Sequence, residues 1–245
     1  MRLLLIALCA VGCASDLDET DGAYAKWDGE RVLCGLGVDS EAISLAQIEA
    51  GLARAAAHDE ALILFAHRPG TTVTADRIDA ILGAAERAGV PFLTFPELAG
   101  PPHGAALSFG FDDASVDDWF ALRDVFAAHG ARTTFFVSNY RDLSAGQRAE
   151  LHVLASEGHA IEAHGMGHRD APAYVDAHGL AAYLADEIDP LLAAMTADGF
   201  EPTTFAYPYG DRTSELDRAL LERFTLIRSL TYLDRSAINS APCPR

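Results

Sequence analysis

The sequence is poor in basic residues: 18 Lys and Arg stand against 36 Asp and Glu, a formal net charge of −18 over 245 residues. That deficit argues against nucleic acid and anionic membrane surfaces as partners, because both are bound through clustered cations. Long hydrophobic runs are also missing. The most extended apolar stretch, Leu3 to Gly12 behind Met1-Arg2, is too short to span a bilayer as a helix and reads as a secretory signal. Only four cysteines occur, and Cys9 and Cys13 fall in or beside that leader, which leaves Cys34 and Cys243. An exported pair of this kind is free to form a disulfide; the alternative is two unpaired small hydrophobes. No repeat, low-complexity tract or interdomain linker stands out, and half the residues are hydrophobic, so the chain has the makings of one globular domain of barrel size.

The leader ends in Ala10-Val11-Gly12-Cys13, which resembles a bacterial lipoprotein processing site with Cys13 as the lipidated residue; a plain cleaved signal peptide is the alternative. Residues 1–13 are therefore expected to be signal and lipobox, 14–29 a polar tether, and 30–245 the folded domain. From residue 30 onward, short apolar runs alternate with helical patterns, as in repeated β-α units. Strands are expected at Val32–Leu36, Ala61–Ala66, Pro91–Phe95, Ala106–Phe111, Thr133–Val137, His159–Ala163, Thr203–Tyr207 and Thr225–Arg228. Helices are expected near 43–58, 73–89, 116–130, 144–158, 177–198 and 213–223. The glycines at 89, 130, 158 and 199 suit helix C-caps. Only Ala99 to Gly104, with its Pro-Pro pair, is punctuated enough to mark a boundary.

The fourth of these runs ends in two adjacent carboxylates, Asp112 and Asp113. Acids at the C-terminal end of a parallel strand point into the pocket of an α/β fold, although an Asp there also serves as an ordinary helix N-cap. A second strand runs into His164 and His168, whose i, i+4 spacing sets two imidazoles on one face of a helical turn, as a tetrahedral metal requires. A third ends in Tyr207-Pro208-Tyr209-Gly210, a rigid turn. With these three stretches in order, the sequence resembles the polysaccharide deacetylases with the NodB-homology domain: Phe111-Asp112-Asp113 matches their first motif, His164-x-x-x-His168 the second and Tyr207 to Gly210 the third.

The resemblance implies an α/β fold, a distorted (β/α)7-type barrel. It further implies a hydrolase that removes N-acetyl groups from an N-acetylglucosamine-containing polysaccharide such as peptidoglycan, chitin-like chains or poly-N-acetylglucosamine. An O-acetyl esterase of xylan-type glycans is the alternative within the fold, and a catalytically silent envelope glycan-binding protein the alternative from another class. Asp113, His164 and His168 would bind one divalent ion, zinc first, with cobalt, manganese or nickel also compatible with two nitrogens and a carboxylate. Asp112 would act as general base and the backbone N–H of Tyr209 as oxyanion donor; Tyr207 and Tyr209 also offer ring faces to a sugar. The family's fourth and fifth motifs, an Asp and a Leu-x-His, normally follow the third, yet no histidine follows Gly210. Ala61 to His67 resembles the fifth motif's strand and histidine, and Asp39 stands about where the fourth motif's Asp would fall. The domain is thus expected to be circularly permuted, with 30–100 equivalent to the family's C-terminal part and 104–245 carrying motifs one to three; a separate module at 30–100 is the competing arrangement. His67 would be the general acid, oriented by Asp39 or another carboxylate, and a Cys34–Cys243 link would staple the new ends. Two departures stand out: Ala206 replaces the third-motif Arg that tethers the base, and Gly165 replaces the usual Ser or Thr after His164. The acetylated glycan and the metal are the ligands implied, in the cell envelope or secreted, with membrane attachment only through Cys13.

Overall fold

The computed structural model describes Leu17, residues 20–232 and Cys243; the expected leader and lipidated Cys13 lie outside the described residues. Eight strands form: β1 (Tyr24–Ala25), β2 (Val32–Gly37), β3 (Ala61–Ala66), β4 (Ala106–Asp113), β5 (Thr134–Val137), β6 (Ala160–Ala163), β7 (Thr204–Ala206) and β8 (Leu226–Thr231). Strands β2 to β8 close a seven-stranded parallel barrel in the order β2-β8-β7-β6-β5-β4-β3 and back to β2. The expected barrel is present. Because both faces of such strands are buried, they read as nearly unbroken apolar runs bounded by turns, which is why their positions are legible. Leu62, Leu107, Phe109, Phe111 and Phe135 face a shell of helices, whereas Leu33, Ile63, Phe136, Ala206 and Leu226 fill the barrel.

The helices are α1 (Leu45–His58), α2 (Ala75–Arg87), α3 (Val116–Phe120), α4 (Arg123–Ala128), α5 (Ala145–Ser156), α6 (Ala171–His178), α7 (Leu180–Tyr183), α8 (Asp189–Ala197) and α9 (Ser214–Leu220). Helices α1 and α5 open on capping boxes, Ser44 with Gln47 and Ser144 with Gln147, and α2 on the side chain of Thr74. Two expected helices are broken. Leu122, with ψ near 2°, separates α3 from α4. The stretch 177–198 is divided by Gly179 and by a π-helical turn, Leu184–Ile188, which ends one residue short of Pro190, a residue with no N–H to continue the ladder.

The expected strand Pro91–Phe95 forms one bridge, Phe92 to Leu107, and no more. Pro96 and the Thr94–Glu97 capping box turn the chain into a 3-10 helix, and Phe95, whose N–H donates 2.7 Å to Thr134 Oγ1, plugs the barrel floor against Phe136. The packed structure also begins before residue 30, since β1, within the expected tether, pairs antiparallel with β3. Within the sheet, β2 lies between β8 and β3, and β3 pairs with β4, so strands from 30–100 and from 104–245 are neighbours in one barrel. Cys34 and Cys243 are joined as a disulfide across 209 residues of sequence. No helix among the described residues is long and apolar enough to cross a membrane.

Candidate active site

Parallel closure directs every strand's C-terminal end to one rim, and the residues singled out in the sequence gather there around a cavity of about 450 Å³. Asp39 follows β2, His67 follows β3, Asp112 and Asp113 end β4, His164 follows β6 and Tyr209 follows β7; all line the cavity. His164 and His168 do not sit on a helical turn as the spacing suggested. They lie in a loop bent by left-handed residues at Gly165 (φ 81°) and His168 (φ 51°). Asp113 (φ 85°) and Tyr209 (φ 61°) are left-handed too, so three of the six such non-glycine residues among those described belong to this site. Backbone strain of this kind persists where the surroundings fix it and clusters at functional positions.

The donor set fits a divalent ion. His164 Nδ1 lies 2.8 Å from the Ala206 carbonyl, an acceptor that demands a proton on Nδ1 and leaves Nε2 as the lone-pair donor. Nε2 of His164 and of His168 lie 3.7 and 3.0 Å from Asp113 Oδ1, and one donor atom from each of the three residues falls within 4.8 Å of the others. Burial alone would raise the Asp113 carboxyl, but the neighbouring His164 and His168 imidazoles outweigh it and hold the group well below the usual carboxylate range. It is therefore available as an anionic ligand.

Across the cavity, His67 Nδ1 donates 2.6 Å to Asp39 Oδ2, while Asp39 Oδ1 accepts from the His67 backbone N–H at 2.9 Å and from Thr72 Oγ1 at 2.6 Å. Burial pulls the His67 imidazole down, yet the Asp39 hydrogen bond and the charges of Asp112, Asp39 and Asp113 prevail and raise it above 6.5. Asp39 moves oppositely: burial would raise it, and the His67 and Thr72 hydrogen bonds hold it low. Trp119 Nε1 donates 2.9 Å to the His67 carbonyl and pins the main chain there.

Asp112 is 3% exposed and is held by a residue that sequence reasoning missed. Arg228, on β8, donates from Nη2 to Asp112 Oδ2, and its guanidinium lies 4.2 Å over the Phe65 ring and 5.0 Å over that of Phe136. Asp112 Oδ1 has no hydrogen-bond partner among the described residues. One carboxylate oxygen is thus anchored and the other left without a partner. The signal for Arg228 was a lone cation within an apolar strand, at the alternate positions facing inward with Leu226 and Leu230. Tyr207 does not offer a ring face: it is 2% exposed and its hydroxyl donates 3.0 Å to Asp217. Among the described residues, Tyr209 and Tyr232, 58% and 40% exposed, are the exposed large hydrophobic residues, and both border the cavity.

A closed α/β barrel whose C-terminal rim gathers two histidines and a carboxylate able to hold a metal ion, a buried second carboxylate and a His–Asp pair has the groups of a hydrolase. A family model for polysaccharide deacetylase matches residues 99–224, just over half the chain, and the chain belongs to that family of amide-cleaving hydrolases. Among solved structures, IcaB from Ammonifex degensii is 20% identical, covers 71% of this chain and 88% of its own, and superposes with a TM-score of 0.57. The Streptococcus pyogenes deacetylase PplD in complex with acetate is 14% identical over 66% of this chain and 79% of its own, TM-score 0.55. A de-N-acetylase from Aggregatibacter actinomycetemcomitans is 12% identical over 71% and 95%, TM-score 0.56. At these identities the likeness is one of fold. No curated protein sequence matches the chain.

Proposed function

We propose that the protein removes N-acetyl groups from an exported N-acetylglucosamine-containing polysaccharide, using one divalent ion, zinc first, held by Asp113, His164 and His168. The observation that carries this reading is the His67–Asp39 pair, joined at 2.6 Å and facing the Asp112 carboxylate and the histidine loop across one cavity. When bound, the ion supplies Lewis acidity that activates water and polarises the acetyl carbonyl. Asp112, through its free Oδ1, accepts the proton of the attacking water. The Tyr209 backbone N–H donates to the developing oxyanion. His67, protonated and oriented by Asp39, passes its proton to the departing amine, so acetate and a free amino sugar result. The exposed rings of Tyr209 and Tyr232 suit the apolar faces of pyranose rings.

The chain order is read as a circular permutation of the family's order. Supporting this, β2 and β3 complete the barrel between β8 and β4, and they deliver Asp39 and His67 to the rim. The disulfide supports export to an oxidising compartment, and the mass of the exported protein's N-terminal peptide tests lipidation at Cys13.

The deciding experiment measures acetate release from N-acetylglucosamine oligomers and from acetylated xylan by zinc- or cobalt-loaded protein, beside Asp112→Asn and His67→Ala. Release from the amide substrate, lowered roughly 10²- to 10⁴-fold in each variant, is the expected result. Release from xylan alone would make the protein an esterase, and none from either would make it a silent glycan binder. Unaltered rates in His67→Ala would detach the N-terminal strands from the chemistry and remove the basis for permutation.

A further inference from the structure

Gly165 leaves the histidine loop without the hydroxyl that the family resemblance led one to expect beside His164. Another group occupies that space. Glu187 lies in the π-helical turn Leu184–Ile188 and is 4% exposed. Its main-chain carbonyl accepts the Met166 N–H at 2.9 Å, and its Oε2 accepts the Gly167 N–H at 2.8 Å. Arg169 Nε lies 3.9 Å from Oε1. A Cβ on Gly167 would stand 2.8 Å from Oε1 and one on Gly165 3.2 Å from Oε2, so the carboxylate fills the hollow that the two glycines leave.

These contacts fix successive amides of the segment that ends in His168. An ordinary helix would turn each residue about 100° from the last. The extra residue of a π turn breaks that phasing, which allows both the carbonyl and the carboxylate of Glu187 to reach the loop. We propose that Glu187 is a positioning residue of the metal centre: by holding the Met166 and Gly167 amides it maintains the left-handed turn at His168 that brings Nε2 to 3.0 Å from Asp113 Oδ1. It does not touch the ion. Residues that orient metal ligands in this way commonly change metal affinity roughly 10- to 100-fold when removed. The proposal rests on Asp113, His164 and His168 being the ligands.

The test is zinc affinity by competition with a chromophoric chelator, with the melting temperature of the metal-free protein recorded for each variant. Glu187→Ala is expected to weaken zinc binding roughly 10- to 100-fold. Glu187→Gln, which keeps an oxygen for the Gly167 N–H, retains most of the affinity. Gly167→Ala, which drives a methyl group into the carboxylate, weakens binding as the alanine variant does. A purely structural Glu187 would lower the melting temperature of the metal-free protein and leave zinc affinity intact, and that result overturns the proposal. If Glu187→Ala does not fold, the contrast between Glu187→Gln and Gly167→Ala decides; equal affinities in those two overturn it as well. Failure of the wild type to bind zinc would overturn the metal-site reading itself, an outcome distinct from wild-type binding that Glu187→Ala leaves unchanged.

Discussion

Arg228 is the residue whose removal most directly tests the proposed base. The Arg228 and Asp112 side chains are each 4% exposed, so neither charge is relieved by water. Replacing Arg228 by Met keeps much of the side chain's apolar bulk between Phe65 and Phe136 and removes the charge. Asp112 is then a buried carboxylate without a counter-charge, and breaking such a pair from one side costs about 3–5 kcal/mol. Lost stacking over two aromatic faces adds about 0.5–2 kcal/mol. Asp112→Asn alone should cost a comparable amount, because it strands the guanidinium. Asp112→Asn with Arg228→Met strands nothing and should recover most of the loss, since replacing both buried charges by neutral groups is often close to neutral.

Urea unfolding of metal-free protein at neutral pH, followed by fluorescence of the buried Trp119, gives the four corners of this cycle. Chelator is needed because a bound cation would partly replace the missing charge. With zinc restored, Arg228→Met should also lower kcat, because Asp112 loses the guanidinium that holds its Oδ2. A loss below about 1 kcal/mol in Arg228→Met, with no coupling to Asp112→Asn and an unchanged kcat, would refute the claim that Arg228 holds the base.

Two other predictions rest on features away from the cavity. The Cys34–Cys243 disulfide spans 209 residues, and the chain-entropy estimate for so long a loop is roughly 5 kcal/mol; dithiothreitol or Cys34→Ala should therefore lower the urea midpoint markedly, and an unchanged midpoint would deny the link a role in stability. His159 is 7% exposed, packs against Phe126 and Phe135, and accepts the Thr133 N–H on Nδ1 at 3.0 Å; burial depresses it from 6.5 to about 4, so its neutral form's contribution is full above pH 6.5 and disappears as pH falls toward 4. That difference amounts to about 3 kcal/mol, and unfolding of His159→Gln should show a weaker decline in stability between pH 7 and 4 than the wild type, a parallel decline counting against it.

The barrel strands and six of the rim residues were legible because each announces itself locally, as an apolar run ending in Asp-Asp, His or Pro-Tyr-Gly. The two departures from the family pattern show where local reading stops. Ala206 removes an arginine beside the third motif, yet Arg228 supplies a guanidinium to Asp112 from the neighbouring strand, 116 residues along the chain from its partner. Adjacent barrel strands bring their inward side chains within reach of one another, so the anchor can move from β7 to β8 at no geometric cost. Gly165 removes a hydroxyl, yet Glu187 fills the space from a helix whose phase the π turn has altered. A reading at 3.6 residues per turn across 177–198 could not place that carboxylate beneath the histidine loop. In both cases a polar group from a different element reaches the place where the resemblance led one to expect another, a guanidinium beside Asp112 and a carboxylate beside the histidine loop. A motif mismatch in this fold therefore says which strand lacks an anchor, and the barrel's closure decides whether a neighbour supplies it. Here neighbours reach both places, Arg228 to Asp112 and Glu187 to Gly167, as the proposed base and ligands require.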